Sequence, residues 1–139
     1  MQGIRRKVVY VVLFEIFAIA LSSALLRLLS GSPLVAAGIA AVGASAIAVA
    51  WNLVYNTLFE KWEARQQRKG RSLLRRAAHA IGFETGLVAM LVPLFAWVLG
   101  VSLWEALLLN AGMIAFFLAY TFLFNLAFDR VFGLPASAR

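Results

Sequence analysis

The sequence has no cysteine, one histidine, three prolines, and six acidic residues against thirteen lysines and arginines. Without cysteine there is neither a disulfide framework nor a thiolate metal site. One histidine cannot furnish the nucleophile and base arrangement of a hydrolase, and no phosphate-cradling glycine loop or His/Cys metal spacing is present. Enzyme signatures are therefore absent, and no cofactor or metal is expected. Charge is scarce: 14% of the 139 residues are charged and 63% are hydrophobic, with a mean hydropathy of +0.88, far from a soluble domain of this length. The formal charge of +7 would suit a nucleic-acid partner if the cations shared a polar face. They sit instead at the ends of apolar blocks, so no nucleic-acid binding is expected.

What the chain does have is four blocks long enough to cross a bilayer core of about 30 Å as helices, since lipid offers backbone groups no outside partners. They run over Val8–Leu29, Leu34–Leu58, Ala77–Leu99 and Leu103–Phe128. The first carries a glutamate, where a cleavable signal would be purely apolar, and is read as a retained span. Ser30-Gly31-Ser32-Pro33 forms a turn in which Gly31 takes a positive φ, and Gly100 marks the matching turn before the fourth span. Pro93 removes a backbone donor and is expected to kink the third helix near Ala89. Of the four tryptophans, Trp62, Trp97 and Trp104 fall near span ends as an interfacial belt requires, and Trp51 lies deeper. Gly38, Ala41, Ser45 and Ala48, with Ala36, Ala40 and Ala44, form small-residue stripes on the second helix, read as a packing face first and a substrate-lining face second.

The chain also repeats itself. Arg75 to Glu84 (RRAAHAIGFE) echoes Arg5 to Glu15 (RRKVVYVVLFE), and one ungapped offset of 69 residues maps Glu15 onto Glu84, Gly31 onto Gly100, Asn56 onto Asn125 and Glu60 onto Asp129. Two units result, residues 1–70 and 71–139, each a helical pair. Three cations precede the first span, seven lie between the second and third, two follow the fourth, and only Arg27 lies toward the other side. The positive-inside rule then places both termini and the central loop, Lys61 to Arg76, in the cytoplasm, making the repeats parallel rather than inverted. The fold expected is an all-α integral membrane protein of two tandem parallel helical hairpins. A homodimer is expected for so small a bundle.

Glu15 lies ten residues past Arg5, about 15 Å along a helix, near mid-bilayer. An ionised carboxylate there costs about 2.5–3.5 kcal/mol on insertion scales, so it must be neutral, paired or facing water. An acid that holds either a proton or a cation is the minimal chemistry of an antiporter. The bland alternative is a protonated glutamate that only hydrogen-bonds a neighbouring helix. Glu84 occupies the equivalent position. His79, one turn into the bilayer with Arg75 and Arg76 beyond it, is a candidate proton relay between Glu84 and the cytoplasm or a structural hydrogen-bonding group. Tyr10 stands at that place in the first repeat. Glu60 and Asp129 end helices at the cytoplasmic edge against the macrodipole, and pairing with the basic starts of helices one and three would offset this. Asn52, Asn56, Asn110 and Asn125 are read as buried amides, substrate contacts or interhelical ties, in a polar network to which Trp51 and Tyr120 are also assigned.

These motifs resemble the bacterial transmembrane pair domain of the proteobacterial antimicrobial compound efflux (PACE) transporters, four-helix inner-membrane proteins built from two helical pairs. Arg76, His79, Ala80, Phe83 and Glu84 match the family's third-helix pattern, and Trp51, Asn52, Asn56, Phe59 and Glu60 that of the second. Tyr120, Thr121, Phe122, Phe124, Asn125 and Asp129 resemble the fourth. The first helix keeps Phe14 and Glu15 but has Lys7 and Tyr10 where arginine and histidine are usual, and Phe128 replaces a frequent tyrosine. The resemblance implies proton-driven export of hydrophobic cations such as chlorhexidine, acriflavine dyes or quaternary biocides across the bacterial inner membrane, with Glu15 as the proton and substrate site. The alternatives are a small multidrug resistance antiporter, which is not built from tandem pairs, and a membrane assembly protein that transports nothing.

Overall fold

The computed structural model describes residues 2–68, 70–135 and 137, so the cations Lys69 and Arg139 counted above lie outside the described residues. Four helices, α1 (Gly3–Ser30), α2 (Leu34–Ala64), α3 (Leu73–Leu99) and α4 (Leu103–Phe132), account for nearly all of it, with no strand among the described residues. At 27 to 31 residues each they are about 40–46 Å long, more than the hydrocarbon core requires. All four are long and apolar enough to span a membrane.

Each helix outruns the span read from hydropathy, because a helix continues through the interface while its backbone bonds are made internally. The central connection shrinks accordingly from the expected Lys61–Arg76 to residues 65–72, with Lys61 on α2 and Arg75 and Arg76 on α3. The hairpin turns form as expected. Gly31 and Gly100 adopt φ of 71° and 66°, and their amides return to the carbonyls of Arg27 and Ala96. Ser72 and Ser102 cap α3 and α4 by accepting from the amides of Arg75 and Glu105 at 3.1 Å.

Each helix packs on its chain neighbours, and α4 returns to α1, closing a four-membered ring. Ser32 in the first turn donates to the Leu99 carbonyl at 2.9 Å, placing both turns at one end. Arg6 at the start of α1 meets Asp129 at the end of α4, so the chain termini share the other end. The turn end is filled by a dense core including Leu26, Ala37, Ala40, Leu99 and Ala106, where alanines let the backbones close up. Toward the terminal end the bundle loosens around a chamber. The outer faces carry exposed leucine, valine and phenylalanine, as a lipid-facing surface does.

The duplication persists in the interhelical bonds. Tyr10 Oη donates to Asn125 Oδ1 at 2.6 Å, and His79 Nε2 pairs with Asn56 Oδ1 at 2.7 Å, the same two positions shifted by 69. Tyr120 Oη donates to the Phe14 carbonyl at 2.8 Å, and Trp51 Nε1 to the Phe83 carbonyl at 3.0 Å, again an equivalent pair. The α4–α1 and α2–α3 seams are thus two versions of one joint.

They differ in closeness. A Cβ on Gly82 would meet Tyr55 Oη at 2.4 Å, and one on Gly86 would meet the Trp51 ring at 2.2 Å, so α3 receives two α2 aromatics directly against its backbone. The matching α1 residues are Leu13 and Phe17. Rings fill the α1–α4 seam instead: Tyr10 sits edge-on to Phe124 and Phe128 at 5.2 Å, and Phe14 lies 5.0 Å from Tyr120.

Candidate functional site

The chamber has a volume of about 640 Å³ and takes its lining from all four helices. Its walls are almost wholly apolar, formed by residues such as Ala18, Ala44, Leu87, Phe95, Met113 and Phe117. Into this surface project two carboxylates from equivalent positions, Glu15 of α1 and Glu84 of α3. The lining includes Leu118 and Phe122, 72% and 69% exposed on the outer face of α4, so the chamber opens sideways.

The two acids are not held alike. Ser45 Oγ donates to Glu15 Oε2 at 2.7 Å, leaving that carboxylate half-buried with one oxygen engaged. Ser45 corresponds to Ile114 in the second repeat, and Glu84 is exposed with no hydrogen-bond partner among the described residues. Each glutamate follows a phenylalanine whose carbonyl receives the Tyr120 or Trp51 bond described above. The helix segment bearing each acid is therefore pinned from the opposite repeat. That is positioning, and it leaves the carboxylates themselves facing the chamber.

The family described as BTP, chlorhexidine efflux transporter, matches residues 2–65 and 71–134, one helical pair each. This chain belongs to that family. A short-chain diamines transporter of Vibrio parahaemolyticus is 37% identical over 125 residues, covering 90% of this chain and 89% of the relative. Proteins of the same description from Acinetobacter baylyi and Acinetobacter baumannii are 31% and 28% identical over 127 residues, covering 91% of this chain and 89% and 88% of the relatives. No solved structure matches the chain. The family and these relatives are transporters rather than enzymes, which sets aside a non-transporting assembly role and the small multidrug resistance reading.

In this member of the chlorhexidine efflux family, the remaining candidate residues separate into groups. Of the asparagines, Asn110 is buried, Asn56 and Asn125 are half-buried, and Asn52 is exposed, against the expectation of a buried amide. Asn52 points away from the bundle because the inward face of α2 at that level belongs to Trp51 and Tyr55. Trp51, Asn52, Asn56 and Tyr120 do not line the chamber: Trp51, Asn56 and Tyr120 make interhelical ties, Asn52 accepts from Asn56 within α2, and of the group assigned to a pocket or polar network only Asn125 reaches the chamber.

His79 also faces α2 rather than the chamber. Asn56 spends its Nδ2 on Asn52, so its Oδ1 must accept, and the His79 Nε2 carries the hydrogen. Tyr55 donates to the His79 carbonyl at 2.9 Å, and no hydrogen bond joins His79 to Glu84 among the described residues. The geometry gives His79 and Tyr10 one task, donating to an asparagine on the opposite repeat, and explains how a phenol replaces an imidazole in α1. Tyr10→Phe is expected to lower stability by about 1 kcal/mol through the unpaired Asn125 oxygen, while Tyr10→His restores the bond. Thermal unfolding of the two variants in one detergent checks the ordering, and equal losses would contradict a donor role.

At the terminal end Asp129 pairs with Arg6 at 2.7 Å as expected, and Arg6 also donates to the Gly133 carbonyl at 2.9 Å while lying 4.9 Å over the Phe128 ring. Glu60 makes no ion pair among the described residues. Because α2 continues past it to Ala64, Glu63 meets the basic segment instead, 3.1 Å from Arg71 and 3.7 Å from Arg75. Arg76 is exposed and donates to the Arg71 carbonyl at 3.3 Å, making no ion pair among the described residues.

Sequence reasoning missed Ser45 as the partner of Glu15, although Glu15 and Ser45 stand 16 and 14 residues from Gly31 and so fall at similar depth in the hairpin. It also missed Gly82 and Gly86, whose four-residue spacing around Phe83-Glu84 is a close-packing signal in membrane helices.

Proposed function

We propose that this protein exports organic cations in exchange for protons across the bacterial cytoplasmic membrane, with both termini in the cytoplasm and Glu15 as the exchanging group. One observation carries the reading: two carboxylates from duplicated positions enter a single apolar chamber. In that setting a carboxylate is stable when protonated or when paired with a cation, and cannot do both with the same oxygens. Entry of one ligand therefore expels the other, which is all that coupling requires.

The pair of acids favours a dication, since each charged end can find a counter-charge while the linker lies on apolar walls. Short diamines fit that description, in line with the names of the relatives, and so do larger hydrophobic dications of the chlorhexidine type. The sideways opening suits ligands that partition into lipid before binding. Orientation rests on the lysines and arginines gathered at the terminal end.

The test is transport by the purified protein in liposomes with an imposed pH gradient. Uptake of a diamine or of an acriflavine dye should follow the gradient and cease when a protonophore collapses it. Transport at equal rate with and without the gradient would refute proton exchange.

A further inference from the structure

Asn110 is 4% exposed, lines the chamber, and has no hydrogen-bond partner among the described residues. Every other asparagine of the bundle is tied to another residue: Asn125 to Tyr10, and Asn56 to both Asn52 and His79. Among the described residues the one sealed side-chain polar atom without a partner is Arg6 Nε, so the polar atoms of the Asn110 amide are open to the chamber, where a ligand can supply the partner that the protein does not. Duplication does not account for Asn110, because the equivalent residue of the first repeat is Ala41.

Its place along the chamber sets what that partner is. Tyr120 reaches the Phe14 carbonyl and so marks the level of Glu15 on α4. Asn110 lies ten residues nearer the closed turn end than Tyr120, and six nearer than Glu15 when the two are counted from Gly100 and Gly31, so about 9–15 Å separates the two levels. The walls between are apolar, among them Ala18, Leu91, Phe95 and Met113, except for Ser22, whose hydroxyl donates to the Ile19 carbonyl of its own helix. The chamber thus has an acidic level, a greasy middle and one free amide at its far end.

We infer that Asn110 is a second binding residue, one that receives the distal polar end of an elongated cation whose charged head is held by Glu15. The ligand class is a long α,ω-diamine or another rod with a cationic head, an aliphatic body and a hydrogen-bonding tail. The amide oxygen accepts from an ammonium, and the amide nitrogen donates to a neutral amine. Taking about 3.5 Å for three bonds of an extended chain, diaminodecane spans about 13 Å and diaminobutane about 6 Å, so only the longer one reaches from Glu15 to Asn110. Asn110 then determines how strongly long substrates are preferred, and short diamines are bound by the two acids without it. This rests on the cation-binding role proposed above for Glu15.

Calorimetric titration of the purified full chain with diaminobutane, diaminodecane and decylamine tests it. Wild type should bind diaminodecane on the order of tenfold more tightly than decylamine, which lacks the distal amine. Asn110→Leu should erase that difference and leave diaminobutane binding unchanged, and Asn110→Asp should widen it. An Asn110→Leu protein that keeps the preference, or loses diaminobutane equally, would overturn the inference, as would an Asn110→Asp protein with no gain if the leucine variant does not fold. Wild type that binds neither diamine would instead remove the reading of Glu15 beneath it, and the role of Asn110 with it.

Discussion

A Glu15→Gln protein is expected to lose gradient-driven transport to the level of empty liposomes while unfolding at the same temperature as wild type or higher. Glutamine fits the same space and can still accept from Ser45 through its carbonyl, so the 2.7 Å bond linking α1 to α2 survives. What disappears is the capacity to take up and release a proton. Since an ionised acid at this depth costs about 2.5–3.5 kcal/mol, removing it relieves the fold rather than burdening it. The combination of lost transport and kept stability separates an exchanging group from an interhelical hydrogen bond. Normal cation efflux by this variant would end the exchange mechanism.

The second large effect is expected at Gly86. Adding one methyl there places a carbon 2.2 Å from Trp51 Cζ2 and 2.8 Å from Cε2, and the indole cannot swing away without giving up its bond to the Phe83 carbonyl. Gly86→Ala should therefore destabilise the protein by about 1–3 kcal/mol, as overpacking does, even though alanine is the better helix former. Gly38 is the control, because a Cβ there meets only Ser23 Oγ at an ordinary 3.9 Å. Thermal unfolding of both alanine variants decides the matter. If they melt together, α2 and α3 do not approach as closely as described.

These two sites show how differently parts of the protein could be read from its residues. Glu15 was legible because an acid inside a long apolar run is costly wherever the helix points. Gly31 and Gly100 were legible for a similarly local reason, as turn glycines between two spans. The Arg6–Asp129 pair followed from charges at opposite ends of neighbouring helices. Glu60 was misjudged: its pairing depended on where α2 stops, and the helix runs four residues further to Ala64, handing the role to Glu63. Asn52 was misplaced because hydropathy reports depth and not the direction of a side chain around the helix axis.

The amino-acid order alone determined four membrane-length helices, their division into two equivalent pairs, and the depth of both glutamates, since span length, repeat offset and rise per residue are properties of one helix at a time. Only the assembled bundle decided that both acids enter one chamber, that Ser45 holds the first, that His79 and Tyr10 brace helices, and that Glu84 and Asn110 are left without a hydrogen-bond partner among the described residues. Those outcomes depend on rotation and spacing between helices. They are set by side chains meeting across seams, such as two aromatics lying on two glycines, and no single segment contains that information.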